Sequence, residues 1–325
     1  MKDKFGREID YLRISLTEKC NIRCLYCMPD WKEKCSDEQR CQEKKAEELT
    51  KDEIVQISKI FSKIGVKKIR LTGGEPLLRK DLLEIIQEIS KIPEIQEICL
   101  TTNGLELEEK LEDLKKAGLN RVNISLDTLS PEEYRVLTRG GDVNKVLNSI
   151  RKSIELCIPV KVNAVITKIQ SEESIQNLAA LTIDEKIDVR FIEIMPIGYG
   201  KGLEGFTGDE IVDIISKKYE MENLYAFEGT SKYYQIKGAK GRIGFINPMS
   251  ECFCGSCNRV RITSTMELKT CLSSEESLNL KEVMRRDISL EEKEEIILSA
   301  LYNKNEKNVF DSQNSIKKSM NQIGG

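Results

Sequence analysis

The chain has 325 residues, 39% hydrophobic and 32% charged, a composition that fits a globular protein with one large domain or a domain with a smaller one appended. Its formal charge of −3 offers no global case for nucleic-acid binding. It contains no apolar run of about 18 residues, and its N-terminus is charged. We therefore expect a cytoplasmic protein that binds neither membrane nor nucleic acid.

Cysteine and histidine contents narrow the chemistry further. The chain has 11 cysteines, of which seven fall into two close groups, and it has no histidine. In a reducing cytosol such groups indicate metal ligation or redox chemistry rather than disulfides. The absence of histidine excludes Ser-His-Asp and Cys-His catalysis and any histidine-ligated zinc or haem. Thiolate-held iron–sulfur clusters or all-cysteine zinc sites remain.

Helices and strands alternate through the first two thirds of the chain. The first helix begins with a predicted capping box of Thr50 and Glu53. Hydrophobic periodicity predicts strands at 11–16, 66–71, 95–100, 121–126, 160–166 and 189–194, and helices at 50–64, 81–89, 107–116, 143–156 and 174–181. Such alternation predicts a parallel sheet, as a partial barrel or an open sheet, with binding residues at the carboxyl ends of its strands.

The alternation stops in the last third, where turns rich in glycine, a strand at 241–246 and a helical stretch at 278–302 follow. We predict two domains, 1–228 and a smaller one at 229–325. The charged segment 30–48 contains Cys35 and Cys41, which we interpret as incidental thiols in a solvated loop.

Cys20, Cys24 and Cys27 form a C-x3-C-x2-C array directly after the first predicted strand. Three thiolates on one tight loop can hold three irons of a [4Fe–4S] cluster and leave the fourth iron open to a ligand. The alternative is a zinc or four-cysteine electron-transfer site that recruits Cys35 or Cys41.

This array, with Tyr26 before the third cysteine, resembles the signature of the radical S-adenosylmethionine (SAM) superfamily. The resemblance implies a partial (β/α)6 TIM-like barrel, in which the open iron chelates SAM. Reductive cleavage of SAM then gives a 5′-deoxyadenosyl radical that abstracts hydrogen from the substrate.

Three further positions fit the same resemblance. Gly73, Gly74 and Glu75 lie in a GGEP segment after the second strand, where the family binds the amino group of SAM. By the same resemblance, Ser125 contacts the carboxylate of SAM and Met195 contacts its adenine. Taken alone, GGEP is most often a turn.

Cys254, Cys257 and Cys271 form a second array, C-x2-C-x13-C, with Arg259 and Arg261 inside it. Three cysteines alone are equally typical of a zinc ribbon. The surrounding sequence, together with the terminal Gly324 and Gly325, resembles the GTP 3′,8-cyclase family of molybdenum cofactor biosynthesis, which implies a second [4Fe–4S] cluster. Cys252 departs from the family pattern and is a candidate fourth ligand.

The resemblance implies that GTP binds near this second cluster, where the open iron contacts guanine. Hydrogen is abstracted from ribose C3′, the radical attacks guanine C8, and reduction gives (8S)-3′,8-cyclo-7,8-dihydroguanosine 5′-triphosphate. The catalytic candidates are Arg259, Arg261, Gly324 and Gly325. The triphosphate requires cations, and the candidates for substrate binding are Arg13, Lys68, Arg70, Thr101, Lys161 and Arg190, together with Arg259 and Arg261.

The resemblance also implies partners. These are an electron donor such as flavodoxin or ferredoxin, cyclic pyranopterin monophosphate synthase as the recipient of the product, and a second copy of the chain in a homodimer. Two alternatives remain open: a radical SAM peptide maturase with an auxiliary cluster, and a non-catalytic iron–sulfur or zinc protein.

Overall fold

The computed structural model of the protein describes residues 1–29, 47–310 and 318–324. Cys35, Cys41 and Gly325 lie outside the described residues. The strands are β1 Tyr11–Ser15, β2 Lys68–Thr72, β3 Glu97–Thr102, β4 Arg121–Ser125, β5 Val160–Ile166, β6 Asp188–Glu193, β7 Met221–Glu228, β8 Ser231–Ile236, β9 Arg242–Ile246, β10 Arg259–Ile262, β11 Glu267–Lys269 and β12 Leu278–Asn279.

The helices alternate with the first six strands and then become sparser. They are α1 Lys51–Lys63, α2 Leu82–Ser90, α3 Leu107–Ala117, α4 Pro131–Thr138, α5 Val143–Glu155, α6 Glu172–Asp184, α7 Gly208–Ser216, α8 Leu280–Arg285 and α9 Leu290–Tyr302. The predicted capping box at Thr50 and Glu53 is present. The helical stretch at 278–302 was predicted as one unit, but it divides because Ser289 caps a new helix through Glu292.

All twelve strands form one sheet in the order β12-β11-β10-β1-β2-β3-β4-β5-β6-β9-β8-β7. Strands β1 to β6 are parallel, as predicted, and form the partial (β/α)6 barrel. The C-terminal region extends this sheet at both ends, because β10 pairs in parallel with β1 and β9 pairs in parallel with β6. The predicted domain boundary falls in the turn between β7 and β8 and stays a prediction.

Apolar side chains hold the helices against the outer face of the sheet. One face of α1 buries Ile54, Ile57 and Phe61 against the strands, at the spacing expected of an amphipathic helix. Arg139, in left-handed conformation, ends α4. In the described part of the chain, no helix has the length and apolar character that crossing a membrane requires.

Candidate active site

A cavity of about 410 Å³ opens at the carboxyl ends of the barrel strands. This is the edge of the sheet at which the sequence predicted binding residues. The predicted residues that line it are Arg13, Cys20, Cys24, Tyr26, Cys27, Lys68, Arg70, Gly73, Gly74, Thr101, Ser125, Lys161, Arg190, Met195, Arg259 and Arg261.

The first cysteine array forms a tight loop beside the cavity, after β1. The Cys27 amide donates to the Cys24 carbonyl at 2.9 Å, and the buried Arg23 donates to the carbonyls of Cys20, at 2.9 Å, and Ile22, at 3.1 Å. Burial raises the pKa of all three thiols, that of Cys27 to about 12. These thiols need a cationic partner to ionise, which is what iron supplies.

No three Cys, Asp or Glu side chains of the described chain converge on a single metal ion. An iron–sulfur cluster holds its ligands further apart than one ion does, because each cysteine binds a different iron. Three half-buried thiols on one loop, facing one cavity, therefore fit a cluster rather than a zinc ion.

The GGEP turn, residues 73–76, packs against the backbone that precedes this loop. Gly74 donates to the Thr17 carbonyl at 2.7 Å, and the Glu75 amide donates to the Lys19 carbonyl at 2.7 Å. A Cβ atom on Gly73 would lie 2.5 Å from the Thr17 carbonyl oxygen. Glycine is required here because backbone packs directly on backbone.

Glu75 is 1% exposed and does not line the cavity. Its carboxylate accepts from the Thr102 hydroxyl at 2.7 Å and from the amides of Asn103, at 2.8 Å, and Leu77, at 3.0 Å. Burial raises the pKa of Glu75 to about 7, against these three donors. In this structure the carboxylate therefore holds the end of β3, and Asn103 in turn reaches the Cys20 sulfur at 3.9 Å.

Asp127, which the sequence analysis missed, joins the cysteine loop to the barrel. It lies just past Ser125 and β4, accepts from the Tyr26 hydroxyl at 2.8 Å and accepts from the Val165 amide at 2.9 Å. Its position directly after a strand was the available signal. Ser125 and Met195 face the same cavity, as expected of residues at strand ends.

Arginines from neighbouring strands line the centre of the cavity. Arg13 on β1 lies in register with Arg70 on β2 and Arg261 on β10, and Arg190 adds a fourth guanidinium from β6. Burial, followed by Arg261 and Arg70, lowers the pKa of Arg13 well below its usual value, and burial lowers that of Arg190 to about 10. Arg70 also donates to the Thr101 hydroxyl at 3.3 Å. So many buried cations favour a polyanionic ligand.

The two predicted lysines also face the cavity, and each has a carboxylate partner. Lys68 lies 2.5 Å from Glu97, and Lys161 lies 3.0 Å from Asp188. Asp188 also binds Arg242 at 2.6 Å. Both lysines are thus held in place by ion pairs.

The second cysteine array lies just outside the cavity wall. Its flanking residues Phe253, Asn258 and Leu272 line the cavity, whereas Cys254, Cys257 and Cys271 are half-buried behind them. Burial raises the pKa of the Cys254 thiol to about 11. Burial acts in the same direction on Cys257, but the positive charge of Arg259 outweighs it, and the pKa of Cys257 is lowered to about 7. Cys252 is exposed, beside Cys254.

The C-terminal tail enters the site from the side of β1. The carbonyl of Gly324 accepts from Arg261 Nη1 at 2.9 Å, and Ile323 packs against Ile197. Gly324 has φ +81°, and a Cβ atom there would lie 3.2 Å from Ser15 Cβ. The tail thus contacts one of the predicted catalytic arginines.

Two sequence families match the chain, the Radical SAM superfamily at residues 14–182 and Molybdenum Cofactor Synthesis C at residues 187–310. Relatives named GTP 3′,8-cyclase, from Clostridium perfringens and Alkaliphilus oremlandii, are 47% and 44% identical over the full length of both chains. A third, from Listeria welshimeri, is 41% identical over 100% of this chain and 99% of its own.

Solved structures share the fold at low identity. Streptococcus suis SuiB bound to S-adenosylmethionine has a TM-score of 0.64 at 16% identity, with 98% of this chain and 78% of that one covered. Methylornithine synthase has a TM-score of 0.52 at 18% identity, with 90% and 83% covered. At these identities, both show a shared fold alone.

Proposed function

Because the chain belongs to the radical SAM superfamily and, within it, to the GTP 3′,8-cyclases, we propose that it converts GTP in the cavity between its two cysteine arrays. The product is (8S)-3′,8-cyclo-7,8-dihydroguanosine 5′-triphosphate, the first intermediate of molybdenum cofactor biosynthesis. One observation carries the proposal: a single cavity is lined by the three thiols of the first array at one side, by neighbours of the second array at another and by a group of arginines as well.

Cys20, Cys24 and Cys27 of the first array would hold a [4Fe–4S] cluster, and the cavity beside them would bind SAM. When bound, this pair supplies the radical that removes hydrogen from the ribose. The chain's own residues form the SAM pocket: Gly73 and Gly74 bring the backbone close, Ser125 ends β4, and Met195 follows β6. Tyr26 stays fixed through Asp127, so that the loop keeps its shape.

The substrate lies across the arginines. We assign the triphosphate to Arg13, Arg70 and Arg190 with Thr101, and the lysines Lys68 and Lys161 to its outer charges. Burial, followed by repulsion from Arg261 and Arg70, lowers the pKa of Arg13, and an anion bound beside it favours its charged form. The cavity in this way selects a nucleotide that still carries its phosphates.

The guanine end lies toward the second cysteine array. The second cluster fits Cys254, Cys257 and Cys271, and Arg259 and Arg261, which follow Cys257 on β10, line the cavity. Holding guanine and ribose at fixed positions brings C3′ and C8 together, which is what a cyclisation requires of its protein. We assign the tail to the same task, since Gly324 binds Arg261.

We further infer that the protein works in the cytoplasm as a homodimer, that a flavodoxin or ferredoxin reduces its first cluster, and that cyclic pyranopterin monophosphate synthase receives its product. The dimer and the recipient of the product follow from the family, whereas the compartment and the electron donor have chemical support. The described cysteines form no disulfide, which fits a reducing compartment, and radical cleavage of SAM consumes an electron, which a reduced electron-transfer protein can supply.

The test is an anaerobic assay of the iron-reconstituted protein with SAM, dithionite and GTP. We expect 5′-deoxyadenosine to form in step with a cyclised nucleotide. Deoxyadenosine that forms without dependence on GTP would instead point to a peptide substrate. If two clusters are present and no deoxyadenosine forms, the catalytic proposal fails.

A further inference from the structure

Two buried cations lie behind the second cysteine array, and the mechanism above does not use either. Lys304 follows α9 and is 2% exposed, and Arg7 precedes β1 and is 7% exposed. They come from opposite ends of the chain and meet where Arg7 Nη2 donates to the Lys304 carbonyl at 3.3 Å. Burying such groups is costly unless each has a partner.

Together these two side chains hold all three cysteine-bearing segments. Lys304 Nζ donates to the carbonyl of Arg259, at 3.0 Å, which lies two residues after Cys257. It also donates to the carbonyl of Thr270, the residue before Cys271. Arg7 Nη1 donates to the carbonyl of Cys254 itself at 3.0 Å. The spacing of the three ligands is thereby fixed by backbone contacts outside the cluster.

Arg7 and Lys304 differ in the negatively charged groups that lie beside them. Arg7 is paired with Asp3 at 2.6 Å. Across residues 1–29, 47–310 and 318–324, no ion pair joins Lys304 to a carboxylate. Burial lowers the pKa of Lys304, and the nearby thiolates of Cys257 and Cys271 oppose this shift without reversing it. The anions that favour its charged form are therefore the cluster ligands.

We propose that Lys304 is a positioning residue for the second iron–sulfur cluster. Its buried ammonium balances the negative charge of that cluster. Lys304 and Arg7 also act together to hold the segments of Cys257 and Cys271 in place. The inference rests on the proposed function only in that a cluster occupies this array. A fixed positive charge nearby stabilises the reduced cluster more than the oxidised one, so Lys304 raises the reduction potential of this cluster.

The experiment compares Lys304→Met with Lys304→Arg and with Lys307→Met, an exposed lysine three residues away. Each full-length protein is reconstituted anaerobically, its iron and sulfide per chain are measured, and its clusters are titrated by electron paramagnetic resonance. We expect Lys304→Met to lose up to half of the iron, all from the second cluster, and any remaining second cluster to have a lower potential. Lys304→Arg should keep most of the iron, and Lys307→Met all of it.

The first cluster serves as an internal control for folding. If Lys304→Met loses both clusters to the same degree, Lys304 serves the fold as a whole and the proposal is overturned. It is equally overturned if iron content and potential match those of Lys307→Met. If the unaltered protein binds only one cluster, the premise of the proposed function fails as well, so the two failures can be told apart.

Discussion

Replacing Gly324 with alanine perturbs the tail at the point where it enters the site. Gly324 has φ +81°, a region that L-residues avoid, and the new Cβ would lie 3.2 Å from Ser15 Cβ. The hydrogen bond from Arg261 to the Gly324 carbonyl depends on this backbone position. We expect the tail to leave the site while the barrel stays intact.

The expected loss of tail docking follows from the left-handed backbone at Gly324 and from the close contact with Ser15. An L-residue in left-handed conformation costs about 1–2 kcal/mol relative to glycine, and the close contact with Ser15 adds to it. A cost of about 1–2 kcal/mol lowers the ratio of docked to undocked tail by about 5–30-fold. If turnover needs the docked tail, cyclisation falls with the docked fraction. The rate falls by the full factor when most tails of the variant are undocked, and by less when most of them remain docked.

The assay measures cyclised nucleotide and 5′-deoxyadenosine together, with iron content as a check. Gly238→Ala is the matched control, because Gly238 has φ +80° and no atom within 4 Å of its Cβ position. Gly324→Ala should reduce cyclisation relative to deoxyadenosine, and Gly238→Ala should not. Equal cyclisation by the two variants would refute the reasoning, and so would loss of iron from Gly324→Ala.

Three further changes test the site. Burial raises the pKa of Glu75 to about 7, so the folded apoprotein binds more protons than the unfolded chain between about pH 4.5 and 7, and its stability falls as the pH rises through that window. Glu75→Gln should flatten this slope in urea midpoints measured at pH 5, 6 and 7; an unchanged slope would contradict the assignment. Arg190→Met should raise the KM for GTP by about tenfold or more, since a charge-assisted hydrogen bond contributes about 1.5–3 kcal/mol. The control, Arg286→Met, changes an exposed arginine and should leave the KM unchanged. Equal KM values for the two variants would contradict an anion site at Arg190. Tyr26→Phe should lower the free energy of unfolding by about 1–3 kcal/mol, because Asp127 stays buried without its hydroxyl donor, and urea titration at pH 7 that shows no change would exclude this role.

Local patterns were sufficient to predict much of the barrel. The six parallel strands lie where periodicity placed them, and the capping box at Thr50 begins α1 as predicted. Two helices were missed although their signals were present: Ser130 and Pro131 begin α4, and Thr207 caps α7 through Glu210. Both helices are short, with 8 and 9 residues, and so their hydrophobic pattern spans too few turns to stand out.

In the candidate site, the residues of short local motifs could be predicted, whereas contacts between residues far apart in the sequence could not. Its cysteines and the glycine pair were visible because each motif is contiguous. The supports were not: Arg7 binds the carbonyl of Cys254 across 247 residues, and Asp127 binds Tyr26 across 101. In a single sequence, no spacing connects such pairs, and only the fold brings them together.

The strand order has a consequence for how the protein is made. While the ribosome is working, β1 acquires one neighbour once Thr72 has emerged, but its other side stays open until Ile262 follows. The first cysteines therefore lie beside an uncovered sheet edge until β10 has been made, and Gly324, which contacts Arg261, is made later still. Strands β1 to β6 can begin to pair during synthesis, whereas the cavity that both cysteine regions approach also requires β10.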